Sequence, residues 1–408
     1  MNRRTISKEK FIENVELHPM RQQEDTDIAI VGGGICGLAT ALALHRKGIN
    51  ALVFEKSETT RAVGSAITIF TNGWRALDQL GVASKLRSTA IPITGLHELS
   101  LDDGSSQKIP LRSEELRCLK RSVLIETLVQ ELPASISYFG CQVVTIKSDP
   151  LTAFPILHFR DGNSIKAKFV IGCDGANSVV SKFLGLKPAQ YLSSCSILGF
   201  TNYPHGHGLE SESIRMRRGS ISVGRIPVDD KVVYWFVGRK WTPQDSDISK
   251  DPEMIRESAL ESTGNFPEEV VEMIRKCDIG SLILTRLKYH APWDILFGRF
   301  TTGTVTVAGD AMHLWAPFLG QGASAAIEDA IVLARCLAQH LTRNKVQAPL
   351  QTYVKQRRMR LVKLSTQTYL TGMLLEPSSV IVHYLCLMLL MVFFHDMLGH
   401  TRYNCGPL

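Results

Sequence analysis

Paired cysteines are missing from this chain. Its nine cysteines, at 36, 118, 141, 173, 195, 277, 336, 386 and 405, form no Cys-x-x-Cys and keep no regular spacing. An odd, scattered set argues against a disulfide framework and gives no basis for a structural zinc site. It fits free thiols in an intracellular, reducing compartment, by expectation the cytoplasm. Long apolar runs are missing too. The C-terminal run Val380 to Phe394 has 15 residues and is interrupted by His383, where a spanning helix needs roughly 20. It reads as a helix docked on the protein, with weak contact to a membrane surface as the alternative. The first 26 residues mix acidic with basic side chains and hold no apolar core, so a secretory signal is excluded. A disordered polar extension is expected there. Clustered charge is scarce as well: the formal balance is only +7, and the dense basic run is Lys355-Gln356-Arg357-Arg358-Met359-Arg360. That run sits in a helical pattern and is expected to be a solvated helix face. Nucleic-acid binding, which needs cations gathered on one surface, is set aside. No internal repeat is present, and no Gly-x-Ser-x-Gly elbow supports a serine hydrolase.

What the chain does have is glycine in three informative places. Asp27 to Val31 is a short apolar β run ending in Gly32-Gly33-Gly34-Ile35-Cys36-Gly37. A helix is expected from Ile35 to Lys47, with Leu38, Ala41, Leu42 and His45 on its inner face, stopped by Gly48. Ala51 to Phe54 is a second buried strand closed by Glu55, 23 residues past Gly32. This is a βαβ unit with a dinucleotide-binding fingerprint. Gly32 permits the tight turn, Gly34 lets backbone approach a pyrophosphate, and Gly37 allows close helix–strand packing. Glu55 is placed to take a ribose hydroxyl. By itself this motif leaves NAD and FAD both open.

A late motif favours FAD. Thr304 to Ala308 reads as another parallel strand and delivers Gly309-Asp310 to its carboxyl end, where ligands bind in open α/β sheets. An acid there suits a polyol such as a ribityl chain. Gly320-Gln321-Gly322 then opens a helix whose inner face reads Ile327, Ile331, Ala334, Ala338 and Leu341. Amides at that positive helix end suit the edge of a flavin where reduction places negative charge. A plain tight turn with Asp310 as a helix cap is the competing reading. Between Tyr191 and Lys240 the texture changes to alternating runs, which point to antiparallel strands with one wet face.

Together with Cys173-Asp174-Gly175-Ala176-Asn177-Ser178, and with His313 and Pro317 after Asp310, these motifs resemble the class A FAD-dependent aromatic hydroxylases. Thr71 to Asp78, Arg117-Cys118-Leu119-Lys120-Arg121 and His400-Thr401-Arg402-Tyr403 are similar to the plant monooxygenase 1 type within them, described as salicylate-hydroxylase-like. The resemblance implies an α/β fold: a Rossmann-type FAD domain interrupted by a mainly antiparallel β-sheet substrate domain. Expected boundaries are 27–95, 115–190 and 280–360 for the FAD domain, 96–114 and 191–279 for the substrate domain, and 361–408 for a C-terminal helical segment. It implies NADPH or NADH as co-substrate and O2 activation as a flavin C4a-hydroperoxide. One oxygen would then pass to a small aromatic or related apolar substrate.

The same resemblance implies residue roles. Glu55 binds the adenosine ribose, Arg121 lies near the ribityl–diphosphate, and Asp310 after Gly309 holds the ribityl or diphosphate. Pro317, Gly320, Gln321 and Gly322 flank the isoalloxazine. Arg61 touches FAD or makes a surface salt bridge. Asp174-Gly175 is associated with both FAD and NAD(P)H, although Val179-Val180-Ser181 stands where relatives carry a basic residue. Leu314 and Trp315 follow His313 where relatives place proline, and Phe318 stands where relatives carry an acid; the three imply an apolar wall beside the flavin, hence a bulkier or less charged substrate than a hydroxybenzoate. His313 is expected to position rather than to act as a base, and His205-Gly206-His207 to be a loop rather than a metal site. Tyr203, Tyr234 and Trp235 are expected mainly in a core. Two alternatives accompany this reading: a same-fold epoxidase or reductase on a lipophilic substrate, and a degenerate flavin fold kept for regulation.

Overall fold

The computed structural model describes residues 25–59, 65–111, 114–341, 348–375 and 379–408. Much of the 1–26 extension, and Arg61, therefore lie outside the described residues. Strand Thr26–Val31 pairs in parallel with Leu52–Phe54 on one side and Ser164–Gly172 on the other. Ser137–Tyr138 and Val305–Val307 continue the parallel pairing outward on the two sides. The strand order thus reverses at Thr26–Val31, which opens a crevice at the carboxyl ends of the central strands. Register aligns Val31 with Gly172 and Gly172 with Val307. The loops beginning at Gly32, Cys173 and Ala308 therefore leave the sheet side by side.

Helix Ile35–Arg46 is buried from Cys36 through Leu44, whatever the side of the helix. It is wedged between the sheet and helix Gly322–Leu341, and the small residues Ala39, Ala41 and Ala43 permit that close fit. His45, expected on the inner face, is exposed because the wedge ends one residue earlier. Leu341, also expected inside, is 40% exposed at the end of its helix.

A second sheet of seven strands runs in the order Ile283–Tyr289, Gln190–Asn202, Val232–Lys240, Ile221–Pro227, Glu212–Arg218, Gly95–Ser100, Ser106–Pro110. Its pairs are antiparallel except Glu212–Arg218 with Gly95–Ser100, which run parallel. The period of two assigns its faces. Met216, Val223, Val233 and Trp235 lie in one core with residues of helices Pro252–Thr263 and Glu268–Arg275. Leu96, Leu198, Ile226 and Tyr234 face the other way and share a cluster with Phe70 and Leu116.

Helix Ala348–Leu375 crosses the boundary expected at residue 360, and helix Val380–Phe393 packs back on it. The basic run within it is not a solvated face. Arg357 is fully buried, paired with Glu328 at 2.7 Å and Asp329 at 2.7 Å. Arg358 donates to the carbonyls of Ile295 and Gly298 at 2.9 Å each. Arg360 donates to His400 O at 2.8 Å and pairs with Glu328 at 3.2 Å. Two carboxylates set into an apolar helix face could be buried only against cations, and this run supplies them.

Candidate active site

The glycine turn is shaped by what would collide with it. Gly32 has φ +105°, and a Cβ there would lie 2.5 Å from Cys173 O. A Cβ on Gly37 would meet Gly32 O at 1.9 Å, so the helix sits directly on the turn. Gly34 differs, because its nearest neighbour would be the Arg121 guanidinium at 3.9 Å. The N-terminus of helix Ile35–Arg46 is thus open toward the cavity, with a cation beside it. Glu55 Oε2 accepts from Gly33 N–H at 2.7 Å and Oε1 from Ser57 N–H at 2.9 Å. The carboxylate braces the turn and keeps further lone pairs on the cavity it lines.

The Gly309–Asp310 turn is held from behind. Gly309, at φ +60°, donates its N–H to Asp329 Oδ2 at 3.0 Å. His313 Nε2 meets the same oxygen at 2.6 Å, and Arg357 Nε donates to Oδ1 at 2.7 Å. Burial pushes the Asp329 carboxyl up, but His313, Arg357 and the Gly309 N–H outweigh it and hold it below its usual range. His313 is buried behind the turn and stacks on Trp315 at 4.7 Å, so it positions. Asp310 itself lines the cavity. Burial raises its carboxyl above the usual value, against the pull of His313 and Arg121.

The loop Pro317–Gly322 completes this wall. Gly320 has φ +60°, and a Cβ on Gly322 would meet nothing within 4 Å, which leaves backbone free to face a ring. The Gln321 side chain turns away instead. It is buried and accepts from Asn72 Nδ2 at 2.9 Å, while the same amide donates to Glu328 at 2.6 Å. Leu314, Trp315, Pro317 and Phe318 line the cavity. Asp174 lines it too, but both its oxygens are engaged by Ser178 Oγ at 2.5 Å and Val179 N–H at 2.7 Å. Gly175 beside it, at φ +76°, is unobstructed.

One cavity of about 1560 Å³ joins these pieces to the inner face of the second sheet. Single-ligand pockets run to about 1,000 Å³, so there is room for a dinucleotide and a second molecule. Beyond the Pro317–Gly322 loop it is lined by apolar Leu198, Ile226, Tyr234 and Phe236 from the sheet and by Leu390 and Phe394 from the C-terminal segment, while Arg215, Arg217 and Arg239 line it from the same sheet. Tyr234 is buried in the cluster with Phe70 and Leu116, as expected, and also lines the chamber, whereas Trp235 is fully buried on the opposite face. Register explains the split, since adjacent strand residues face opposite ways. Tyr203 packs at the edge of the helix-covered core. His207 Nε2 lies 2.7 Å from Asp229 O in its loop. Sequence reasoning missed the Arg357–Glu328–Asp329 network and the C-terminal wall. The signal for the first was Glu328-Asp329 between Ile327 and Ile331.

Paired glycine loops on adjacent parallel strands, an open helix end beside Arg121, Asp310 at the crevice and a sheet cap define a flavin-dinucleotide oxidoreductase. The residues fit FAD, because the open backbone at Gly34 and Gly322 marks two separate approaches on one cavity. The chain matches the FAD binding domain family over residues 25–368 and belongs to the FAD-dependent monooxygenases. It is 44% identical over 399 residues to Monooxygenase 1 of Arabidopsis thaliana, covering 94% of this chain and 100% of that one. Monooxygenase 2 of the same plant is 34% identical, covering 86% and 90%. The 3-amino-4-hydroxybenzoate 2-monooxygenase of Streptomyces cremeus is 30% identical, covering 77% and 79%. Klebsiella pneumoniae HpxO complexed with FAD and uric acid shares the fold, with TM-score 0.80, 21% identity, and 93% and 97% of the chains covered. FAD is the cofactor, and the resemblance read from the motifs is borne out. No helix among the described residues is long and apolar enough to cross a membrane.

Proposed function

We propose that this intracellular enzyme, cytoplasmic with weak membrane contact through its C-terminal segment, uses NADPH or NADH and O2 to oxygenate a bulky, uncharged aromatic or related apolar substrate. The observation that carries the reading is the apolar chamber beyond the flavin loop. The row Phe200–Tyr234–Ile226 holds no cation, whereas Leu198–Phe236–Gly224 runs on to Arg215, and Arg217, two residues along that strand, lines the cavity as well. Arg215, farther across the sheet, is paired with Glu98 at 3.6 Å, and Arg239 with buried Asp245 at 2.5 Å. The part of the wall next to the flavin loop, Leu198, Ile226, Tyr234 and Phe236, offers no cation to a benzoate carboxylate.

FAD, when bound, supplies the hydride and oxygen chemistry. The chain's own residues hold it: the open helix end at Gly34 and Arg121 take the diphosphate, Glu55 takes the adenosine ribose, and Asp310 accepts from a ribityl hydroxyl. Gly320 N–H donates to Pro317 O at 3.1 Å, so the backbone N–H groups of Gln321 and Gly322 are the ones left for the ring edge where negative charge develops. Leu314, Trp315 and Phe318 exclude water. Burial keeps the Tyr234 phenol protonated well above its ordinary value, so it can donate to a substrate hydroxyl.

NADPH oxidation by the FAD-loaded protein, with peroxide and product assayed together across charged and neutral phenols, tests this. Coupled product from bulky neutral phenols is the expected result. Stimulation by small benzoates alone would overturn the substrate class. A same-fold epoxidase or reductase is a second reading, favoured by the same apolar wall and separated by the identity of the product.

A further inference from the structure

The C-terminal helix Val380–Phe393 is one wall of the chamber and also a large apolar surface of the molecule. It carries no Asp, Glu, Lys or Arg. Ile381, Tyr384, Leu385, Met388 and Val392 recur at i, i+3, i+4, i+7 and i+11, which places them in one stripe. Their exposures are 80%, 65%, 49%, 49% and 62%. A second stripe, Leu387, Leu390, Met391 and Phe394, repeats at i, i+3, i+4 and i+7 and lines the cavity. Met391 belongs to both surfaces, lining the cavity while 60% exposed. Apolar surface is therefore continuous from the outside of the molecule, past Met391, into the chamber.

We propose that this helix lies on a lipid surface and admits a membrane-dissolved substrate past Met391 into the chamber. The inference rests on the apolar-substrate reading above and names the phase from which that substrate comes. Length supports a flat orientation. Fourteen residues extend about 21 Å, short of the roughly 30 Å hydrocarbon thickness, so the helix lies in the interface instead of spanning it. The stripe is the convex face of a single helix that carries no Asp, Glu, Lys or Arg to pair with a protein partner. Lipid suits such a face, since each apolar side chain inserts on its own account. Tyr384 gives the stripe an amphipathic ring suited to the headgroup level. Ser379 Oγ caps the helix by accepting from Val382 N–H at 3.2 Å, and beyond Phe394 the chain is tied to the body by Arg402 to Glu114 and by Arg75 to Arg402 O. Contact with a membrane would then fix where the cavity mouth faces.

The test is flotation of the FAD-loaded protein with vesicles of phosphatidylcholine and phosphatidylglycerol, comparing wild type with Ile381→Glu/Val392→Glu. Neither side chain lines the cavity, so FAD retention and NADPH oxidation without vesicles should be unchanged. Wild type is expected to float and the double variant to lose about tenfold of its bound fraction. Met388→Lys, at the middle of the stripe, should show the same loss and guards against a folding defect in the double variant. A long-chain alkylphenol carried in the vesicles should stimulate wild type more than either variant, while a water-soluble phenol stimulates all equally. Wild type that stays unbound while still coupling NADPH oxidation to product overturns the lipid inference alone. A concentration-dependent dimer in sedimentation that Ile381→Glu/Val392→Glu dissociates also overturns it. Flotation with no phenol-stimulated oxidation at all removes the monooxygenase reading and, with it, the delivery of substrate.

Discussion

At the scale of single residues, two glycines of one motif do opposite work. A side chain at Gly37 collides with backbone of its own fold, 1.9 Å from Gly32 O, whereas one at Gly34 meets only open cavity. Gly37→Ala should therefore unfold the free protein more easily, by more than about 3 kcal/mol, the upper end for an overpacked site. Gly34→Val should leave the apoprotein's stability within about 0.5 kcal/mol, since its backbone is extended at φ −82° and ψ −171°. It should, however, abolish the thermal shift that FAD gives wild type. Denaturant unfolding of both apoproteins and a melt with added FAD check the pair. Equal apo destabilisation in the two variants would remove Gly34 from the cofactor site.

Between elements, the decisive feature is the buried ionic network. Asp329 and Glu328 from helix Gly322–Leu341 meet Arg357 and Arg360 from helix Ala348–Leu375, and through Gly309, Asn72 and Gln321 they hold the Gly309–Asp310 turn and the Pro317–Gly322 loop on the cavity. Removing one member leaves a charge stranded in the interior. Arg357→Met should cost about 3–5 kcal/mol and weaken FAD retention because the Gly309 turn loses its brace. Adding Glu328→Gln and Asp329→Asn to that variant should recover part of the stability, since the stranded carboxylates are neutralised. If the triple variant is less stable than Arg357→Met, the network owes its worth to hydrogen bonding rather than to charge balance. A second case is the crossing of Phe236 over Gly224, where a Cβ would fall 2.2 Å from the ring. Gly224→Ala should push that ring into the chamber and cost about 1–3 kcal/mol. Its signature is loss of stimulation by bulky phenols with small ones spared.

On the scale of the whole molecule, stability should respond to acid through His400, which lines the cavity from the C-terminal tail. Burial, reinforced by Arg360, lowers its imidazole from 6.5 to about 4. The unfolded chain takes up a proton at the higher value that the folded protein refuses until the lower one. Stability contributed by the neutral ring is thus present above about pH 6.5 and is lost as pH falls toward 4, by up to about 3 kcal/mol. His400→Gln should flatten the stability profile across that window relative to wild type in denaturant titrations. Identical slopes would mean that His400 is solvated in solution.

The sequence by itself determined the nucleotide half of this protein. Gly32 to Gly37, Glu55 and Gly309-Asp310 are legible because backbone approach to a phosphate constrains local conformation, and local constraint leaves local residues. Alternation likewise exposed the strands of the second sheet. Only tertiary structure decided the rest. Arg357 and its neighbours look like a solvated helix face until the helix packs against Glu328 and Asp329. Tyr234 and Trp235 are adjacent and alike in composition, yet they belong to different cores, and only Tyr234 also meets the chamber, because the face is set by what covers each side of the sheet. The wall made by Leu390, Met391 and Phe394 comes from a segment far along the chain. Burial and charge pairing depend on which distant elements meet, and a linear pattern records the propensity to be buried without the partner that makes burial possible.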